Sequence, residues 1–392
     1  MSALPVSTRA RARWVGAAAA LATVFVSACG SSGGGGGSSG TGSASPTAIG
    51  SDLAAKVKGY EQPLTSWPGP TQAVKAVTGK KVGLVSCGVT SPACPRMLNG
   101  MQEAAKALGW TVVETYNPPA LTPSSENAAL QHMIAAGVDG IVCVCIPRPL
   151  LQDTLAMARA KNVSFITVRS EDDTFTDPSD TKVGAGEGLA GDIIGDYVVN
   201  ASGGKANVIM IRDDDFGILK DISDHFKKKI QACSGCKLLA EQNIPTADVF
   251  QKAVGEVASL LQRFPQTDYL YSTFDAEGRL AISAIKQVQL IGKVKVVGGT
   301  GGEEQTLQLI QSDRPATFVA TTSPPDEWAG WAGIDNLLRV FQGQQPVTNT
   351  NRPLLTAADN ISTLCKSSCI AYTGVEAGLD FHAEYKKLWG LG

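Results

Sequence analysis

Charge is scarce in this chain: only 18% of its 392 residues are charged, against about 25% in ordinary globular proteins. The 34 Lys and Arg nearly balance the 36 Asp and Glu. No basic stripe stands out, so the footprint of a protein that reads a nucleic-acid backbone is missing. Histidine is limited to three residues, and no paired C-x-x-C motifs stand at zinc-ribbon spacing, which sets aside a zinc site. Aromatics are 6%, so composition alone offers no carbohydrate-stacking platform. Outside the low-complexity Gly/Ser run there is no G-x-S-x-G nucleophile elbow, and there is no H-E-x-x-H and no P-loop. His132 and His225 fall on helix-patterned segments and His382 in the tail, where such residues are ordinarily surface groups. The chain is therefore not expected to be an enzyme, with an extracellular hydrolase as the remote alternative. No cofactor and no metal are expected.

Long apolar runs are also absent. The one candidate, Trp14 to Ala28, is about 15 residues, shorter than the ~20 a helix needs to cross the hydrocarbon core. Arg9, Arg11 and Arg13 precede it, the order of a secretory signal. It ends in Val26-Ser27-Ala28-Cys29-Gly30, which resembles a bacterial lipobox. That resemblance implies cleavage after residue 28 and a diacylglyceryl group on Cys29; an ordinary signal peptide or a marginal anchor are the alternatives. The next segment, 29–50, is almost entirely Gly, Ser, Thr and Ala and reads as a flexible tether. Three of the basic residues and none of the acids lie in 1–28, so the remainder carries a net charge of -5.

What the chain does have is apolar periodicity, with 43% apolar residues. From Lys81 short apolar strands alternate with amphipathic helices through Val168. A second series runs from Leu189 to Gln342. This pattern predicts an α/β architecture of two similar units, each a parallel sheet built from βαβ crossovers. No period of 20 to 50 residues marks a solenoid. Segments 52–78 and 360–392 carry no functional assignment at this stage.

Nine cysteines are present. Assigning Cys29 to lipid leaves an even number in an exported chain, where disulfides form. Local spacing favours three pairs: Cys87 with Cys94, Cys233 with Cys236, and Cys365 with Cys369. Cys143 and Cys145 stand two apart on a strand, pointing to one face, and read as buried thiols. Cys233-x-x-Cys236 follows a helix rather than opening one, so a structural bridge is favoured over a redox motif.

Read together, Lys80–Ser86, Asn99–Trp110, Ile134–Val142, Ala158–Val163, Val296–Gly299 and Trp328–Asp335 resemble the type I periplasmic solute-binding proteins. The likeness is to their ribose-binding-like sugar branch in its lipoprotein form, and it extends over roughly residues 75 to 350. It implies two Rossmann-like α/β lobes joined by a three-strand hinge, with the ligand held between them. The expected N-terminal lobe is 51–183 plus about 301–323. The expected C-terminal lobe is 184–300 plus about 324–350, with a hinge strand and tail over 351–392. Crossings are expected near 182–186, 320–324 and 346–355. The implied function is a lipid-anchored monomer on the extracytoplasmic face of the cell membrane. It would hand a sugar or sugar-like ligand to an ABC permease or, alternatively, present it to a sensor kinase.

Ligands of open α/β sheets sit past the C-terminal ends of strands. That rule selects Ser86, Thr90, Arg148, Arg169, Asp214, Phe216, Phe274, Asp275, Thr300, Ser323 and Trp328 as ligand-binding candidates. The chain departs from the sugar-binding pattern at several of these places. The aromatics expected after the first strand fall on Ala93 and Cys94, and the expected Asp-Arg falls on Arg169-Ser170. Arg169 could grip a carboxylate or phosphate or pair with Glu171, Asp172 or Asp173. Asp213, Asp214 and Asp215 could hold hydroxyls or a cation, or merely complement a helix dipole. Phe216, Phe274 and Trp328 could stack on a ligand or pack in the core.

Overall fold

The structure is a computed structural model that describes residues 46–88, 91–118, 122–144, 148–169, 180–183, 188–246, 248–312, 317–347 and 352–392. Cys29, Cys145 and Thr90 lie outside the described residues. The tether ends sooner than expected, because helix α1 (Pro46–Tyr60) already begins at residue 46. Leu53, Val57 and Tyr60 recur at helical spacing and pack on the second lobe.

The first lobe contains β1 (Lys81–Val85), α2 (Ala93–Ala107), β2 (Thr111–Tyr116), α3 (Pro123–Ala135), β3 (Gly140–Val144), α4 (Gln152–Ala160), β4 (Ser164–Val168) and β5 (Asp180–Val183). Its five strands are all parallel, in the order β2-β1-β3-β4-β5. The second lobe contains α5 (Gly188–Ala201), β6 (Asn207–Arg212), α6 (Gly217–Ala232), β7 (Lys237–Asn243), α7 (Val249–Arg263), β8 (Tyr269–Phe274), α8 (Asp275–Gln287), β9 (Lys295–Thr300), α9 (Glu304–Ser312) and β10 (Phe318–Ser323). After α10 (Asp326–Phe341), β11 (Leu354–Ala357) joins the same sheet, antiparallel to β10, giving the order β11-β10-β9-β8-β6-β7. A last helix, α11 (Phe381–Leu388), closes the chain.

Two sheets of βαβ units were expected, and two are present. The allotment of 301–350 is the reverse of the expectation. β10 hydrogen-bonds to β9 in the second sheet, while α10 buries Trp328, Ile334 and Leu337 in the core of the first. A crossing therefore falls between Ser323 and Asp326. The others that were expected run from β5 to α5 and from α10 to β11.

Close helix pairs fix each lobe. A Cβ on Gly100 would lie 2.1 Å from the Glu327 carbonyl oxygen, and one on Gly330 2.2 Å from that of Met97. Glycine at both positions lets α2 and α10 touch backbone to backbone. Gly191 does the same for α5 against α6, where a Cβ would stand 1.9 Å from the Ile222 oxygen. Thirteen residues of the sixteen-residue α10 are buried, because it is covered by the sheet on one side and by α2 and α11 on others.

All three expected disulfides form: Cys87–Cys94, Cys233–Cys236 and Cys365–Cys369. Cys143 is a buried thiol.

Candidate functional site

β5 and β10 each leave their sheet from the C-terminal end and enter the other lobe. The C-terminal edges of both sheets therefore lie at the hinge, and the loops past those edges form the site that open α/β sheets use.

In the first lobe, Ser86 follows β1 and is fully buried. Its amide donates to the Tyr116 carbonyl (2.9 Å) and its Oγ accepts from the Gly88 amide (3.4 Å). The Cys87–Cys94 bridge ties this loop to α2. Arg148 opens a short 3-10 turn, Arg148–Leu151, and its side chain lies outside the described residues. Arg169 directly follows β4 and has a positive φ of 56°. Its Nη1 donates to Asp326 Oδ1 at 2.7 Å. The other oxygen of Asp326 accepts from Arg96 Nε at 2.9 Å and Nη2 at 2.6 Å. Asp326 is 1% exposed, so one buried carboxylate at the start of α10 joins α2, β4 and the crossing from β10. The acids at 171–173, the other partners considered for Arg169, lie outside the described residues. Asp326 and Arg96 were not among the sequence candidates. The one available signal was an acid directly after Ser323-Pro324-Pro325, a place where a helix-start acid is ordinary.

In the second lobe, Asp213 is fully buried. It accepts from the Asp215 amide (2.8 Å) and from the Thr246 hydroxyl, and burial pushes its carboxyl up from the usual range. Asp214 is exposed at the rim, held by Arg212 Nε at 2.7 Å. Arg212 also donates to Asp224 (2.9 Å) and Glu241 (2.5 Å). Asp275 is not available at the surface. It accepts from Thr321 Oγ1 (2.6 Å), the Gly302 amide (2.9 Å) and the Glu303 amide (3.4 Å), and it pins the β9–α9 loop. Burial, then the nearby Glu303 charge, push its carboxyl up. Ser323 is buried and shares a hydrogen bond with Thr356 of β11 (2.9 Å).

Trp328 does not face the site. It is 0% exposed in the first core, stacked between Trp67 (5.1 Å between ring centroids, 8° between planes) and Phe381 (5.5 Å, 5°). The aromatic candidates that stay half-exposed are Phe216 and Phe274. Phe274 is paired in register with Thr300 on the neighbouring parallel strand, and β6, which leads to Phe216, flanks β8 on the other side. Phe216, Phe274, Thr300 and Asp214 thus form one rim of the second lobe: two apolar rings, a hydroxyl and a carboxylate. Such a rim can stack on and hydrogen-bond a small polar molecule. Among the described residues, no group of three or more His, Cys, Asp or Glu is arranged to hold a metal.

A family model described as periplasmic binding protein domain matches residues 82–345. No curated protein matches the sequence. Among solved structures, a 5-methylthioribose transporter solute-binding protein from Thermotoga lettingae, in complex with 5-methylthioribose, superposes with a TM-score of 0.66. It is 17% identical, over 82% of this chain and 95% of that one. An ABC transporter solute-binding protein from Mycobacterium smegmatis, with bound glycerol, gives 0.65 at 21% identity, over 75% and 99%. A XylFII–LytSN complex gives 0.62 at 19%, over 72% and 100%.

Proposed function

The chain belongs to the periplasmic binding protein domain family, and from that premise we propose that it captures a small polar ligand, a sugar or sugar-like molecule, between its two lobes. The observation that carries this reading is the rim of Phe216, Phe274, Thr300 and Asp214 at the C-terminal edge of the second sheet, beside the hinge. Rings give apolar faces, while a hydroxyl and a carboxylate give directional hydrogen bonds. The buried Arg96–Asp326–Arg169 group sits at the corresponding edge of the first lobe. Guanidinium groups at that edge suit a polar ligand better than an apolar one. The family is one of binding proteins, which supports capture rather than catalysis.

In this reading Cys29 carries lipid, the Gly/Ser segment tethers the domain to the outer face of the cell membrane, and the protein works as a monomer. The loaded form passes its ligand to an ABC permease. A second reading, presentation of the ligand to a sensor protein, is favoured by the likeness to XylFII, which is described in a complex with LytSN. A pull-down of membrane partners with and without ligand separates the two.

The first test is thermal denaturation of the purified protein with sugars, polyols, sugar acids and amino acids. A ligand at about 100 times its dissociation constant adds about 2.7 kcal/mol to stability. A hit confined to sugars and polyols supports the proposal. A hit confined to amino acids, or none across the library, overturns it.

A further inference from the structure

We infer that the two terminal segments form a brace across the hinge that limits how far the lobes swing. Besides the three crossings already described, the chain passes between lobes twice more. Val57 and Tyr60 pack in the second lobe, yet Leu64, Trp67 and Val74 pack in the first. In the tail, Ile361, Leu364, Cys365, Cys369 and Tyr372 are buried in the second lobe, and Leu379, Phe381, Tyr385 and Trp389 in the first. The two crossings run side by side, since the Leu64 amide donates to the Tyr372 hydroxyl at 3.4 Å.

Both ends of the brace are firmly held. At the second lobe, Arg352 donates to the carbonyls of Gly59 (3.0 Å), Tyr60 (3.2 Å) and Gln62 (2.6 Å), satisfying the end of α1. Asn360 Nδ2 donates to the Glu61 carbonyl (2.9 Å), and Lys56 pairs with Asp196 at 2.9 Å. At the first lobe, Trp67 lies on Trp328 and meets Tyr385 edge-on at 5.1 Å. The amides of Val74 and Ala76 donate to Leu388 and Trp389, each at 3.0 Å. Buried Arg339 reaches the Gln72 carbonyl (2.9 Å) and Asp335, which also accepts from the Trp389 indole (2.8 Å).

The span between the anchors is not slack. Only six residues lie between Tyr372 and Leu379, a reach of at most ~3.3–3.6 Å per residue. Those residues are folded into a turn. The Glu376 carboxylate accepts from the Thr373 and Gly374 amides and from the Thr373 hydroxyl. Gly374, at φ 99°, lies against the Trp328 ring, where a Cβ would stand 3.2 Å from the nearest carbon. Swinging the lobes must stretch this turn or peel Trp67 from Trp328. A hinge of three strands would carry no such cost.

The consequence for affinity rests on the solute-binding reading; the brace itself does not. Ligand affinity scales with the fraction of molecules in the binding-competent arrangement, so a brace that narrows the lobe distribution also sets affinity. The test is single-molecule energy transfer in the full chain without ligand. Fluorophores are carried on unnatural side chains at exposed Asp153 of α4 and Lys252 of α7. Two variants are compared with wild type: a four-residue Gly-Ser insertion after exposed Gly378, which leaves every anchor in place, and Trp67→Ala. Wild type should give one narrow distance distribution, and both variants a broader or displaced one. A broad or multimodal wild-type distribution, or variants indistinguishable from wild type, overturns the brace. Because wild type alone can fail this test, the idea does not hang on either variant folding. Where a ligand has been identified, the insertion should change its apparent Kd by about threefold or more. A changed distance distribution with no ligand found anywhere would leave the brace standing and count against the solute reading.

Discussion

Arg169 and Asp326 meet at 2.7 Å although 157 residues separate them in the chain. Arg169 directly follows β4, and Asp326 is the first residue of α10 after the crossing from the second lobe. Arg96 takes the other carboxylate oxygen. Removing one member of a buried ion pair typically costs 3–5 kcal/mol, because the remaining charge is left without a partner. Asp326→Asn keeps the shape and removes the charge that Arg169 and Arg96 share. It should lower the unfolding free energy by about 3 kcal/mol, read from urea titration. A loss below 1 kcal/mol would mean the guanidiniums find other partners, and the carboxylate is not what fixes this edge of the lobe.

The two classes of aromatic candidate should separate cleanly. Trp328 is a fully buried core residue, and Trp328→Ala should cost about 3–5 kcal/mol whatever ligand is present. Phe274 is half-exposed at the rim. Phe274→Ala should cost under about 1.5 kcal/mol of stability and weaken ligand binding at least tenfold. Melting curves and titration calorimetry on the pair decide it. Equal effects on stability would remove Phe274 from the site.

The architecture was legible in the sequence because short apolar runs alternating with helical spacing leave few topologies open. The lobe to which the units of 301–350 belong was not. β10 has the local pattern of any buried parallel strand, and nothing near Phe318–Ser323 says which sheet it joins. α10 was read as an ordinary amphipathic helix, but it is covered on nearly every side, so Trp328 at its start could not be sorted between core and site. Strand-end rules picked out the loops that face the hinge but not the partners of their side chains. Asp275 looks like a ligand group until its three donors are seen, two amides of the β9–α9 loop and Thr321 of β10, and Arg169 looks free until Asp326 folds back onto it. The disulfides were legible because each closes a loop of seven residues or fewer. Segments 46–80 and 358–392 were opaque for the opposite reason: each gains its structure only by packing against the other and against both lobes.

Backbone proximity gives a contrasting pair of glycine substitutions. A Cβ at Gly100 meets the Glu327 carbonyl at 2.1 Å, whereas one at Gly255, inside α7, meets nothing within 4 Å. Gly100→Ala must push α2 from α10 and should cost about 1–3 kcal/mol or more. Gly255→Ala should add about 0.5–1 kcal/mol, since alanine loses less backbone freedom in a helix. If Gly100→Ala is neutral in thermal unfolding, the two helices do not touch as described.

Two buried glutamates should make the protein less stable as pH rises. Burial pushes the Glu126 carboxyl up to about 8, against a weaker opposing bond from the Cys143 thiol. It pushes Glu277 up to about 8 as well, against the Thr273 amide that donates to its Oε2 at 2.8 Å and with help from the Asp213 charge. In both, the folded value lies above the unfolded one, near the carboxylate norm of about 4.3. Between those values the native state holds protons that the unfolded state has released, so stability falls with rising pH. The loss begins near pH 4.5 and is complete once pH passes about 8, where both groups must ionise in place. Each group contributes a slope of up to about 1.4 kcal/mol per pH unit; acids whose folded values are lowered, such as Asp224 and Glu241, act in the opposite sense but only below this window, where their unfolded forms still hold protons. Glu277→Gln removes the charge and keeps an oxygen for the Thr273 amide. Its urea-unfolding free energy should therefore gain on wild type progressively from pH 5 to pH 8.5. A difference between the two proteins that stays flat across that range would show that Glu277 is already ionised in the native state.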